Sequence, residues 1–140
     1  MTSIPVAATS RTALGLTILR IIVGIVFIAH GSQKLFVFGI HGVIGAFGQM
    51  GIPLPAVAAP LIAILEFAGG IGLVVGFLTR IFAALLACDM LGAILFVHLK
   101  NGFFLPNGFE FAFTLLGACL VLAVAGPGDY AIDTRRAREI

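Results

Sequence analysis

ALGLTILRIIVGIVFIAHGSQKLFVF, residues 13–38, decides the fold. Its 26 residues carry only Arg20, His30 and Lys34 as ionisable groups. A helix needs about 20 mostly apolar residues to cross the hydrocarbon core of a bilayer. The apolar residues run continuously instead of alternating. Backbone groups in lipid must be satisfied within the segment, so the run reads as a transmembrane helix and not as a barrel strand. It is too long for the apolar region of a signal peptide, contains Arg20, and is followed by no small-residue cleavage site. It is expected to remain as a first span.

Three further runs repeat the pattern, at 56–78, 81–99 and 109–125. The last two are slightly short and predict little tilt. Across the 140 residues, 61% are hydrophobic and 10% charged, with a mean hydropathy of +1.20. Globular domains carry about 25% charged residues. Such a chain cannot cover its own surface with polar groups, and its length allows one domain. The expected fold class is all-α, an integral membrane four-helix bundle.

The net charge of +2, with no basic stripe interleaved with aromatics, speaks against nucleic acid. Cys88 and Cys119 lie in apolar runs without CxxC spacing, which favours small buried hydrophobes over a redox pair or metal ligands.

The connections differ in kind. GIHGVIGAFGQMGIPLP (39–55) places Ile40, Val43, Ile44 and Phe47 at i, i+3, i+4 and i+7, one face of a short helix. It is expected to lie in the membrane interface between spans one and two, ended by Gly51 and the Pro53-Leu54-Pro55 turn. Thr79-Arg80 leaves almost no loop between spans two and three, which must form a tight antiparallel hairpin. The chain therefore divides into an N-terminal segment (1–12), a four-span domain (13–126) and a polar C-terminal tail (127–140). Arg11, Arg20, Arg80, Arg135, Arg136 and Arg138 fall on one side, Lys34 and Lys100 on the other. This asymmetry predicts both termini in the cytoplasm.

Ionisable residues within spans are costly and mark candidate functional sites. At 1.5 Å per residue, Arg20 and Asp89 lie about 10–12 Å from the cytoplasmic ends of their spans, Glu66 near the midplane, and His30 and His98 about 25 Å up. With 100° per residue, Asp89 and His98 point to opposite sides of span three. Two clusters follow. Arg20 and Asp89 read as a structural ion pair. His30, Lys34, His98, Lys100 and Glu110, with Glu66 beneath, read as a ligand site near the outer face. Span two carries Gly69, Gly70, Gly72 and Gly76, the last two in GxxxG spacing, which favours close helix packing.

The outward bend VHLKNGFFLPNGFEF (97–111) is partly helix punctuation. Asn101-Gly102 suits a helix C-terminus. Asn107 with Glu110 reads as a capping box opening span four. Lys100 suits a snorkelling role, whereas His98 is too short for one.

HGSQKLF (30–36), MGIPLP (50–55), LEFAGGIGLVVGFLTR (65–80), HLKNGFFLPNGFE (98–110) and GPGDYAID (126–133) occur in the order found in the DoxX family of small bacterial membrane proteins, which the chain resembles along nearly its whole length. The resemblance implies a compact four-span bundle in the bacterial cytoplasmic membrane. It also implies a link to quinone-dependent or redox-stress oxidoreductase systems, often as a subunit of a complex. A distant branch resembles receptor chaperones, which do no chemistry. His30, Lys34, Glu66, Arg80, His98, Asn101 and Glu110 match the family pattern, as does Arg20; Asp89 is less characteristic.

The expected function is therefore a membrane subunit of a quinone-linked oxidoreductase. It would bind a quinone headgroup through His30, Lys34, Glu66, His98, Asn101 and Glu110. His30 and His98 are the candidate donors, and Glu66 or Glu110 the proton relay. No CxxCH, Rossmann fingerprint or Cys cluster is present, so electrons would come from a protein partner or from a cofactor the sequence does not announce. Haem between His30 and His98 would force the helices apart beyond their usual spacing of about 8–10 Å. A second class fits the same residues: a non-catalytic assembly factor, or a binder of lipid or another hydrophobic small molecule. A transporter fits less well, because four spans are few, no inverted repeat is visible, and a pore would need assembly of several copies.

Overall fold

The charge pattern and apolar runs resolve into six α-helices in a computed structural model that describes residues 6–139, without the side chains of residues 6–10 and 138. The start of the expected N-terminal segment and the Arg138 side chain thus lie outside the described residues. The helices are α1 (Val6–Ser32), α2 (Gly39–Gln49), α3 (Pro55–Val75), α4 (Thr79–Ala93), α5 (Glu110–Ala125) and α6 (Ile132–Glu139). The all-helical expectation holds. Helical stretches 11–49, 55–75 and 79–101 are long and apolar enough to cross a membrane, while α5 has 16 residues.

α1, α3, α4 and α5 form the bundle. α1 packs most extensively on α3 and α4 on α5, and contacts of α3 with α4 and of α1 with α5 close the ring. The first contact is close because both helices present glycine. A Cβ on Gly24 would lie 2.7 Å from the Gly70 carbonyl oxygen, and one on Gly31 would lie 2.4 Å from the Phe67 nitrogen. Backbone touches backbone there, as small residues allow in membranes. The GxxxG pair plays a different part from the one expected. Gly72 makes room for the Phe82 ring, and Gly76 ends α3 at φ +72°, against Ala131 and Arg20. Val23, Phe27, Leu73, Leu86, Met90, Cys119 and Leu122 fill the core.

Gly39, at φ +70° and ψ 157°, turns the chain out of the first long helix. α2 then lies on the first half of α3. The stripe read from the sequence is the one that packs: Val43 and Phe47 are buried with Ala59, and Ile44 packs beside them.

The residues after α5 return to the end where α1 begins. Thr17 Oγ1 donates to the Asp129 carbonyl at 2.6 Å. The Asp133 carboxylate accepts from the Leu78 and Thr79 amides, both at 2.9 Å, at the start of α4. Those amides have no partner inside the helix, so an acidic cap there satisfies them. Arg80 donates to the carbonyls of Ala123 and Val124 at the end of α5.

Candidate functional site: a cleft between α2, α3 and α4

Two departures from regular α-helix shape the opposite end. Gln33–Phe38 and Ile94–His98 are π-helical, and they carry Lys34 and His98. A π turn closes from i to i+5 and takes up about one more residue per turn than an α turn. The rotation between Asp89 and His98 therefore falls short of the half-circle expected for a regular α-helix. Both side chains line the same cleft, of about 480 Å³. Asp89 is thus part of the outer cluster, contrary to the sequence reading. Nothing in ILFVH (94–98) announces a π turn, so the sequence held no signal for this placement.

Lys34 and Glu66 form the centre of the site. Their Nζ and Oε2 atoms are 2.5 Å apart, with side chains 19% and 5% exposed. Asp89 lines the cleft together with this pair. Its Oδ2 is buried without a hydrogen-bond partner. Such an atom is costly unless a ligand or water meets it. Apolar walls complete the cleft, with Phe47 and Met50 from α2 and its end, Ile62 from α3, and Met90 and Phe96 from the α4 arm. The sequence reading had not assigned these wall residues to the site.

His98 is held by its own loop. Nδ1 lies 3.0 Å from the carbonyl oxygen of Asn107. A carbonyl only accepts, so Nδ1 carries the proton and Nε2 of the neutral ring is an acceptor. Asn101 Nδ2 donates to the same carbonyl at 3.3 Å. The capping box does not form. Phe109 is the N-cap residue and Glu110 the first residue of α5, and the Glu110 carboxylate reaches back to the Leu105 amide at 2.7 Å. Glu110 is too close to the helix start to serve as the third-position partner of a box. Asn101 and Glu110 line neither the cleft nor the chamber behind it; both brace the loop that holds His98.

That chamber, of about 130 Å³, lies between α1, α4 and α5. It shares Lys34, Glu66 and His98 with the cleft and adds His30 and Phe111, whose ring centroids are 6.0 Å apart. His30 therefore stands behind the Lys34–Glu66 pair and outside the cleft itself.

Arg20 and Asp89 are not paired. Arg20 is 1% exposed and donates to the carbonyls of Leu73 at 2.6 Å, Val74 at 2.7 Å and Pro127 at 3.0 Å. The returning segment and the end of α3 supply free carbonyls that a guanidinium with five donors can satisfy. Lys34–Glu66 is the one salt bridge among the described residues.

A family model described as DoxX matches residues 15–99. The chain is 38% identical over 120 residues to "Putative oxidoreductase CatD" of Bacillus subtilis, covering 86% of this chain and 85% of that protein. It is 32% identical over 126 residues to "Inner membrane protein YphA" of Escherichia coli, covering 86% and 89%. A third relative, "Uncharacterized membrane protein Rv3486" of Mycobacterium tuberculosis, is 32% identical over 128 residues, covering 84% and 78%. No solved structure matches the chain. With its apolar helices and a match across most of its length, the chain belongs to the DoxX family of integral membrane proteins.

Proposed function

We propose that the chain is a membrane subunit of a quinone-linked oxidoreductase and that the cleft binds the quinone headgroup. The observation that carries this reading is the polar quartet Lys34, Glu66, Asp89 and His98 set into otherwise apolar walls. Small-molecule sites are typically about 300–1,000 Å³, mostly apolar, with a few polar groups that orient the ligand. The cleft has that size and character. The name of the Bacillus subtilis relative supports the redox part of the reading.

The donor set fits a headgroup that alternates between carbonyl and hydroxyl oxygens. Lys34 keeps two ammonium protons beyond the one directed at Glu66, enough to donate to a carbonyl oxygen. Neutral His98 takes a hydroxyl proton at Nε2, and Asp89 Oδ2 offers a second acceptor. This revises the role expected of His98 from donor to acceptor. When bound, the quinone supplies two-electron, two-proton redox chemistry, with electrons exchanged through a protein partner. Glu66, paired with Lys34, and Asp89 line the same cleft and can hold or release a proton beside the headgroup. The 130 Å³ chamber shared by His30 and His98 is too small for a porphyrin. Arg11, Arg20, Arg80, Arg135 and Arg136 all lie toward the end where α1 begins and α6 lies, which supports cytoplasmic termini and a cleft near the outer face.

The test is quinone binding by the purified chain in lipid nanodiscs, followed calorimetrically. The expected result is saturable binding, weakened at least about tenfold by Lys34→Met or His98→Ala, about 1.4 kcal/mol each. His30→Ala is expected to act less, because His30 lies outside the cleft. Wild-type protein that binds neither benzoquinones nor naphthoquinones would overturn the reading.

A further inference from the structure

The cleft has a doorway, and its position determines which ligands reach the polar quartet. α2 packs on α3 and on the π segment that follows α1, with no comparable packing on α4. The cleft wall between α2 and α4 is therefore a gap. Along its α4 edge lie Cys88, Gly92 and Phe96, four residues apart on one helical stripe. Cys88 is exposed and Phe96 is 47% exposed. Across the gap stand Met50 and Pro53, also exposed. In a membrane-spanning helix such a row faces acyl chains. The gap opens sideways, toward lipid.

Gly92 is the telling residue. A Cβ built there meets no atom within 4 Å, and its φ lies outside the range that favours glycine. Neither packing nor backbone geometry of the chain itself requires glycine. Gly15, Gly45 and Gly117 are open in the same way, but of these only Gly92 lines the cleft. Glycine in a helix interior is disfavoured relative to alanine. The space left at Gly92 is thus unfilled by the chain and lies in the middle of the doorway.

We propose that the site selects quinones bearing a long hydrocarbon tail, which enter sideways from the bilayer and leave the tail threaded between α2 and α4 over Gly92. This rests on the quinone reading of the cleft and adds the route and the tail. A cleft of about 480 Å³ holds a headgroup and the start of a tail. The rest of the tail must leave through an opening that lipid already fills. Cys88 and Phe96 flank its path, while Lys34, Glu66, Asp89 and His98 meet the ring.

The experiment uses the full chain in nanodiscs and two probes with the same benzoquinone ring, one carrying a ten-carbon tail and the other a methyl group in its place. Cys88 provides a readout independent of the binding assay, because Cys119 is buried and is expected to stay unlabelled. The tailed probe is expected to slow N-ethylmaleimide labelling of Cys88 at least about fivefold, and the tail-less probe to leave the rate unchanged. Gly92→Phe is expected to weaken the tailed probe at least about tenfold while keeping the tail-less probe within about twofold. Binding of the tailed probe with no protection of Cys88, or equal binding in wild type and Gly92→Phe, would overturn the doorway and leave the headgroup site standing. Failure of both probes to bind wild type would instead overturn the quinone reading. The Cys88 measurement needs no variant, so a Gly92→Phe chain that failed to fold would still leave a decisive result.

Discussion

Lys34 Nζ and Glu66 Oε2 meet at 2.5 Å, joining the π segment after α1 to the middle of α3. The pair lies on the wall common to cleft and chamber. Each partner answers a charge that hydrocarbon would otherwise surround. Breaking one side of such a pair is costly because it strands the other. Lys34→Met and Glu66→Gln are each expected to destabilise the bundle by about 2–4 kcal/mol, toward the low side because Lys34 is partly exposed. The double variant is expected to lose much less than the sum, by at least about 1 kcal/mol. Unfolding in mixed detergent micelles measures all three; strict additivity would show that the contact contributes nothing.

His98 offers a spectroscopic prediction. Its hydrogen bond to the Asn107 carbonyl fixes the neutral ring with the proton on Nδ1. Solid-state ¹⁵N spectra of the neutral ring are expected to show a protonated Nδ1 and an unprotonated Nε2, the reverse of the tautomer that dominates for free histidine. Quinol binding is expected to move the Nε2 resonance. A protonated Nε2 in the neutral ring would contradict the loop geometry and the acceptor role together.

At the other end, Arg20 holds α3 and the returning chain through a fan of carbonyls. Lysine is a point charge and cannot reproduce that fork. Arg20→Lys is expected to cost about 2–3 kcal/mol, the loss of more than one charged hydrogen bond. It is also expected to speed tryptic cleavage at Arg135 and Arg136, whose segment it anchors. Thermal unfolding and limited proteolysis report the two effects. A lysine variant with wild-type stability and cleavage would remove Arg20 from its anchoring role.

Two glycines of α1 provide a matched pair. A Cβ on Gly24 would meet the Gly70 carbonyl at 2.7 Å, whereas one on Gly15 would meet nothing within 4 Å. Gly24→Ala must push two backbones apart and is expected to destabilise by about 1–3 kcal/mol. Gly15→Ala is expected to be neutral or to stabilise by up to about 1 kcal/mol through helix propensity. Equal effects in the same unfolding assay would show that the α1–α3 approach is looser than described.

Much of this protein was legible without coordinates. Continuous hydrocarbon over residues 13–38 leaves the backbone no partner but itself, so helices follow. The i, i+3, i+4, i+7 stripe of Ile40, Val43, Ile44 and Phe47 marked the side of α2 that packs, because one face of a short helix must be covered. The burden of charge in apolar surroundings singled out Arg20, His30, Lys34, Glu66, Asp89 and His98 before any partner was known.

Partnership was the part that one-dimensional reasoning could not supply. Asp89 and His98 share one cleft because a π turn between them resets the rotation of the α4 arm, and hydrogen-bond slippage of that kind leaves no mark in composition. Arg20 finds carbonyls instead of a carboxylate because GPGDYAID, more than a hundred residues later, folds back beneath it. The sequence by itself determined that the chain is a set of membrane helices and which charges they must shelter, since the cost of exposing a peptide or an ion to lipid is local. Only the tertiary structure decided which charges meet and where the cleft opens, since those depend on helix rotation and on segments distant in the chain.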